Sequence, residues 1–413
     1  MTTEFFKGWV QALGLGCVLM AAESAMAFNA RITAEFVPSL ADPTNNVFTN
    51  TSAPGYLCGT MPAICDGNVS ITFPGRFANQ TPIIANNPDP RQSFFIKLPA
   101  DWRDITVQHA TTGQTSTVQL RFTSFGGELR IAPNATFATG IPDVTAAHSA
   151  LWNGGGLEVP PSPCTSRLHR VDGDTTIRFF WQMPVVAECA KQTAFDLDQL
   201  HIYALELMYE IRTPTPLNMA AGIWEADYLY TLGPGADFDF GDNLLPYDPN
   251  LNIKITLTVS HHLRAVFPPG ADRLALEPEG GWIPWLNGGR RPERIIRDQP
   301  FQFTSSGPVK MRIECQYLMG GNCAIANPAG HRVPVETRIT LPAGMHELTG
   351  GPVSRKLLST IDDVTALASR YVADQTGNLH FEVARSDVND MLTYPDTTYS
   401  GNVTVVWDSF LIP

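Results

Sequence analysis

Tyr399-Ser-Gly-Asn-Val-Thr-Val-Val-Trp-Asp-Ser-Phe-Leu-Ile-Pro413 reads as a β-strand that carries the chain to its end with no turn and no partner strand behind it. Tyr399, Gly401, Val403, Val405 and Trp407 fall on one face at period two, and Asn402, Thr404 and Asp408 fall on the other. A sheet finishing on such a strand has an edge to complete, an aggregation hazard unless another chain supplies the missing strand. The stretch therefore predicts an all-β protein with an assembly partner.

Upstream, Leu251, Ile253, Ile255, Leu257, Val259, Leu263 and Phe267 alternate with Asn252, Lys254, Thr256, Thr258 and Ser260, a period no helix has. Val309, Met311, Ile313 and Cys315 repeat it, as do Val333, Val335, Ile339 and Leu341, and Leu379-His-Phe-Glu-Val383. Pro268-Pro-Gly270, Gly280-Gly281, Gly288-Gly289 and Gly320-Gly321 punctuate these runs as turns. Residues 249–413 are expected to form one sandwich of about six strands, with a short helix near Asp362 to Tyr371.

Nearer the amino terminus, Phe94 to Leu98, Val118 to Phe122, Leu129 to Ile131 and Thr176 to Trp181 read as strands, the second and third joined at Gly126-Gly127 as a hairpin. Leu200 to Ile211 fits two periods: Tyr203, Leu205, Leu207, Tyr209 and Ile211 alternate, while Leu200, Ala204, Leu207 and Ile211 match helical spacing. Strand is preferred because Thr213-Pro-Thr-Pro216 follows at once. Residues 236–248, dense in turn formers and acids, suit an interdomain connector. The expected organisation is a signal at 1–27, an amino-terminal domain at 28–235, this linker, and a carboxy-terminal domain at 249–413.

Lys7, the apolar run Trp9 to Ala22 and the small-x-small site Ala25-Met-Ala27 have the layout of a secretory signal. Cys17 would leave with it. The remaining cysteines sit in near neighbours, Cys58 with Cys65, Cys164 with Cys189, and Cys315 with Cys323, and an oxidising compartment makes bridges between them the default. Zinc would need C-x-x-C pairs or nearby histidines, which the sequence lacks.

A net charge of −12 argues against nucleic acid and against anionic membrane surfaces. The 33 Gly, 33 Pro and 22 Phe suit short strands joined by tight turns. G-x-S-x-G, S-x-x-K and H-E-x-x-H are missing, every mature cysteine has a partner, and adjacent His261 and His262, read on one strand, would point to opposite faces. No enzyme, metal or cofactor is expected. Asp237, Asp239 and Asp242 lack the distal Glu of a calcium loop and read as turn caps, with Asp237 and Asp239 the nearest approach to a glycosidase pair.

Gly222-Ile-Trp-Glu-Ala-Asp-Tyr-Leu-Tyr-Thr-Leu-Gly-Pro-Gly-Ala-Asp-Phe-Asp-Phe-Gly-Asp242, Pro278-Glu-Gly-Gly-Trp-Ile-Pro-Trp285 and the Tyr-Ser-Gly-Asn-Val-Thr-Val ending resemble two-domain fimbrial subunits of the chaperone–usher pathway. Asn45-Asn-Val-Phe-Thr-Asn-Thr51, followed by Cys58 and Cys65, resembles the start of tip adhesins in that group. The resemblance implies two immunoglobulin-like β-sandwich domains, a receptor-binding one and an incomplete pilin fold lacking its last strand. It implies export to the periplasm, a periplasmic chaperone and then an adjacent pilin subunit that each donate a strand, an outer-membrane usher, and a place at the fimbrial tip. Val403, Val405 and Trp407 are expected to face the interior of the strand-accepting domain, with the chaperone gripping the carboxylate of Pro413. Family members usually carry a penultimate Tyr or Phe there, whereas this chain ends Phe410-Leu-Ile-Pro413.

Phe28, Ala30, Ile32, Ala34 and Phe36 alternate as a donor strand would, or as the first strand of the amino-terminal domain; the long separation from the second domain favours the latter. For a surface receptor, a carbohydrate above all, the candidates are aromatic: Trp152-Asn153 before Gly154-Gly-Gly156, and Trp102 beside Asp101 and Asp104. Trp282 and Trp285 read as packing, and Arg290-Arg291 as a solvated pair. The alternative is a structural minor pilin or tip adaptor that binds no receptor.

Overall fold

The computed structural model describes residues 28–39, 41–65 and 67–409; the signal segment with Cys17, and Phe410 to Pro413 with the expected carboxylate anchor, lie outside the described residues. The elements are almost all strands, and among the described residues no helix is long and apolar enough to cross a membrane.

In the first body β1 (Phe28–Phe36) buries Ala30, Ile32, Ala34 and Phe36 on one face. It belongs to a 12-stranded sheet with β2 (Arg103–His109), β3 (Thr115–Ala132), β4 (Gln199–Arg212), β5 (Gly222–Thr231) and β6 (Asn250–Val259). Along the sheet β4, β3, β2, β5, β6 and β1 follow in that order, with β1 parallel to β6. The sheet curls until Phe28 on β1 meets Phe73 of the strand Val69–Phe73 at a ring separation of 5.7 Å. One large core fills the curl.

Three sequence expectations change here. Gly126-Gly127 is no turn: β3 runs unbroken through both glycines. A Cβ on Gly127 would lie 2.7 Å from the Tyr203 carbonyl oxygen, and one on Gly126 would lie 2.6 Å from that of Phe179. The pair lets β3 pass close to its neighbours, opposite an irregularity in β4 between Tyr203 and Glu206 where Ala204 has φ 46°. The stretch 236–248 is no free connector, because Phe238, Phe240 and Leu244 are buried in the first core. The alternating run from Leu251 to Phe267 is two strands in two bodies: β6 pairs with β5 and β1, the chain turns at Ser260 to His262, and β7 (Leu263–Val266) joins the next sheet. The domain edge thus moves from 249 to about 260.

The second body holds its own core between two sheets. In one, β7 lies at the edge beside β8 (Ile295–Ser305). The other contains β9 (Val309–Cys315). β10 (Arg332–Thr340) belongs to the first of these sheets, and β11 (Val364–Ala368) to the second. β12 (Val372–Val383) lies between β8 and β10, and β13 (Val403–Ser409) flanks β9 opposite β11. The helix expected near Asp362 to Tyr371 is the strand β11, whose Val364, Ala366 and Ala368 alternate inward. The final strand begins at Val403, four residues later than its period suggested, because Tyr399 and Gly401 are engaged elsewhere.

Candidate assembly groove and surface sites

β13 pairs antiparallel with β9 along its whole length, Val403 opposite Cys315 and Ser409 opposite Val309, and has no second partner strand among the described residues. Its alternate N–H and C=O groups on the far side are therefore available to a further strand. Val403, Val405 and Trp407 lean on the second core yet stay only half-buried. On the facing edge, Leu263, Ala265 and Phe267 of β7 and its continuation are in the same condition. Phe301 of β8 bridges the two edges, 5.3 Å from the Phe267 ring and 5.3 Å from that of Trp407, and Phe303 lies 5.5 Å from Trp407. The result is an apolar seam between two unclosed sheet edges.

The lead into β13 is firmly moored. Ser400 and Ala326 exchange backbone hydrogen bonds of 2.9 Å, and the Tyr399 hydroxyl lies 2.8 Å from His331 Nδ1. A Cβ on Gly401 would sit 2.7 Å from the Ala324 carbonyl oxygen, which explains the glycine. The Cys315–Cys323 disulfide ties the end of β9 to the same strand, Asn322–Ala326. One border of the seam is thereby fixed.

The other bridges join Cys58 to Cys65 and Cys164 to Cys189. Beside the first lies a residue that pattern reading missed. Glu206 is fully buried on β4, and its carboxylate accepts the Leu57 amide at 2.5 Å and the Cys58 amide at 3.0 Å, capping the short helix Tyr56–Thr60. It also lies close to both sulfurs, but these are bonded to each other and the carboxylate is occupied by amides.

The aromatic receptor candidates separate on burial. Trp152 is 3% exposed, 5.7 Å from Phe94 in the first core, so it offers no ring to a ligand. Asn153 is exposed, but its amide donates to Asn86 Oδ1 at 2.9 Å. Trp102 is half-exposed on the outer side of the sheet, with the guanidinium of Arg212 4.0 Å and that of Arg121 4.6 Å from its ring centre. Arg121 pairs with Glu210 at 2.6 Å. The neighbours that decide this surface come from β3 and β4, distant in sequence.

The acids expected to cap turns do so and hold arginines as well: Asp239 accepts the Gly235 and Gly241 amides, each at 2.9 Å, and Asp237 the Thr231 amide at 2.9 Å. Arg91 bonds Asp239 at 3.0 Å and Asp242 at 2.8 Å, and Arg103 bonds Asp237 at 2.6 Å. The hydrogen bond from Arg91 holds the Asp242 carboxyl below its ordinary range. Burial pushes Asp237 the other way, but the Thr231 amide and Arg103 overcome it and its carboxyl also titrates low.

His261 and His262 lie off any strand, at the turn between the bodies. His261 Nε2–H donates to the Met219 carbonyl at 2.8 Å, while Nδ1 lies 3.2 Å from Ser306 Oγ. His262 Nδ1 lies 3.0 Å from the Tyr371 hydroxyl, and the Tyr371 amide donates to the Pro43 carbonyl at 3.0 Å. Burial depresses the pKa of His261, and the adjacent His262 adds to that, against the opposing hydrogen bonds at Met219 and Ser306. These contacts join the first body to the second.

No protein-family model matches the sequence, and no curated protein matches it. Among solved structures the chain is similar to CfaE, the adhesive subunit of CFA/I fimbria of enterotoxigenic Escherichia coli, with 9% identity over 93% of each chain and a TM-score of 0.25. It is similar at 9% identity and TM-score 0.25 to a chain from the chaperone–tip adhesin complex of CFA/I fimbriae biogenesis, over 93% of this chain and 97% of that one. A chain of the CsuC–CsuE chaperone–tip adhesion subunit complex from archaic Csu pili of Acinetobacter baumannii shares 11% identity, with 93% of this chain and 99% of that one covered and a TM-score of 0.22.

Proposed function

We propose that this chain is a fimbrial tip adhesin completed by donated strands. The observation that carries the reading is the apolar seam between β7 and β13, floored by Phe301 and Phe303. An inserted strand would bond to β13 and bury alternate side chains against Trp407, Val405 and Phe267. In this reading a periplasmic chaperone fills the seam first, and the extension of an adjacent pilin subunit replaces it at the usher. The signal-like segment 1–27 directs export, and the fimbrium at the cell surface is the destination. The place of β1 within the first sheet, bonded to β6 over its nine residues, supports tip over body, since a body subunit needs a free extension to donate.

The first body then meets the receptor. Trp102 is the aromatic candidate that remains partly exposed, and its arginine neighbours suit an acidic sugar or another anionic group. The buried ring of Trp152 favours, by the same logic, the second reading of a tip adaptor without a receptor.

The test is to append an alternating apolar strand through a flexible linker after Pro413 and express the chain where pilus chaperones are absent. The unmodified chain is expected to aggregate or be degraded, and the extended chain to persist as a monomer that binds a glycan array in a Trp102-dependent manner. An unmodified chain that remains a stable monomer, gaining nothing from the added strand, refutes strand donation. An extended, folded chain that binds no surface supports the adaptor.

A further inference from the structure

The segment before β8 carries Trp282-Ile-Pro-Trp285-Leu286 and Arg290-Arg291 in one projecting loop. Its short helix, Ile283–Leu286, is returned on itself at Gly289, whose amide donates to the Pro284 carbonyl at 3.0 Å. A Cβ at Gly289 would meet that carbonyl oxygen at 2.4 Å, so only glycine makes the return. The loop encloses an open cleft of about 640 Å³ walled by Trp285, Arg290, Arg291, Arg294 and Arg385. That volume is in the range of small-molecule sites.

Three carboxylates share the cleft, and each is already engaged. Arg294 pairs with Glu279 at 3.2 Å and Glu382 at 3.7 Å, and Arg385 pairs with Glu293 at 3.5 Å. Arg290 and Arg291 are exposed and have no ion-pair or hydrogen-bond partner among the described residues. On a chain of net charge −12, two adjacent free guanidiniums beside a half-exposed indole reverse the local sign. Guanidiniums match the oxygens of carboxylate and sulfate, and an indole covers the apolar side of a sugar ring.

We propose that this cleft binds an anionic saccharide, its acidic substituent on Arg290 and Arg291 and its ring against Trp285. Arg294 and Arg385, held by their glutamates, brace the walls and leave the free pair to the ligand. The site lies in the second body, apart from both the seam and Trp102. It gives the protein a second foothold on a surface or a matrix polysaccharide.

Calorimetric titration of the chain carrying the strand appended after Pro413 with a heparin-derived tetrasaccharide and, separately, with sialyllactose separates sulfate from carboxylate; lactose is the neutral control. At least one acidic sugar is expected to bind and lactose is not. Arg290→Ser with Arg291→Ser should weaken that binding about tenfold or more, the loss of at least one charge-assisted hydrogen bond. Trp285→Ala should weaken it about threefold to tenfold and Trp285→Phe should restore most of it. The arginines are exposed and unpartnered, so their removal leaves folding intact, which an unchanged Tm verifies. Failure of both acidic sugars to bind, equal binding of lactose, or unchanged binding by the double arginine variant overturns the proposal. So does full competition by equimolar inorganic sulfate, or binding of anionic phospholipid vesicles without any saccharide binding.

Discussion

Trp407→Ala tests the seam most directly, because the indole is half-buried in the chain alone and would be covered once a strand is inserted. A Trp side chain buries roughly 200 Å² when fully enclosed, and Trp407 is already mostly covered, so closing the seam removes about a further 50 Å² from water. At about 25 cal/mol per Å² this is about 1.3 kcal/mol that the alanine variant cannot gain, on the order of tenfold in strand affinity. The variant should also lose about 2 kcal/mol in the open chain, where the contacts with Phe301 and Phe303 disappear. The two losses are separated by a cycle of four chains, wild type and Trp407→Ala, each with and without the strand appended after Pro413, the unextended pair refolded and held at low concentration to avoid aggregation. Denaturant unfolding of the second body should show the appended strand stabilising the wild type by about 1.3 kcal/mol more than the variant. An appended strand that stabilises both equally means Trp407 is not covered by it, and the seam is then no acceptor groove.

Gly127→Ala should destabilise the first body by about 1–3 kcal/mol in urea, since its Cβ would stand 2.7 Å from the Tyr203 carbonyl oxygen; a neutral result would mean that β3 and β4 are spaced more widely there. Opening the Cys164–Cys189 bridge, which spans 25 residues, should cost about 3–4 kcal/mol, and more than loss of Cys58–Cys65, which spans 7. Differential unfolding of the serine variants ranks them. For the junction, the pKa of His261 is depressed in the folded protein, so the unfolded or undocked state takes up a proton first. Its contribution is therefore complete above the ordinary histidine value of about 6.5 and declines as pH falls below it. Proteolysis near Ser260 to Leu263 should accelerate at pH 5 relative to pH 7.5, and a His261→Gln variant should lose that pH dependence; a rate that is flat in the wild type removes the histidine from the junction.

The β class was legible because alternation is local: the faces of β6, β9, β10 and β13 can be read from residues two apart. For Leu200 to Ile211 the two periods tied, and the following prolines tipped the reading toward the strand that the structure has. What sequence reading lost depended on distant neighbours. Gly126-Gly127 has the local signature of a turn, and only the approach of Tyr203 and Phe179 makes it a crossing point. The stretch 236–248 has the composition of a linker, yet its Asp-Phe-Asp-Phe alternation was a usable signal: the phenylalanines are in the core and the aspartates hold Arg103 and Arg91. Half of the seam was visible in Val403, Val405 and Trp407. The other half, Leu263, Ala265 and Phe267, lies in the same alternating run as β6, and that unbroken alternation hides the passage at Ser260 to His262 from one body to the next. The burial of Trp152 could not be read, since a tryptophan before a glycine-rich loop looks the same whether or not Phe94 covers it.

The parallel alignment of β1 with β6 has a mechanical meaning. β6 leads straight into the turn at Ser260, so a pull arriving from the second body runs along the axis of β6. Loaded lengthwise, the rungs to β1 on one flank and to β5 on the other share the strain together instead of unzipping singly. A molecule tethered at one end and dragged by flow at the other would meet tension with its most resistant orientation.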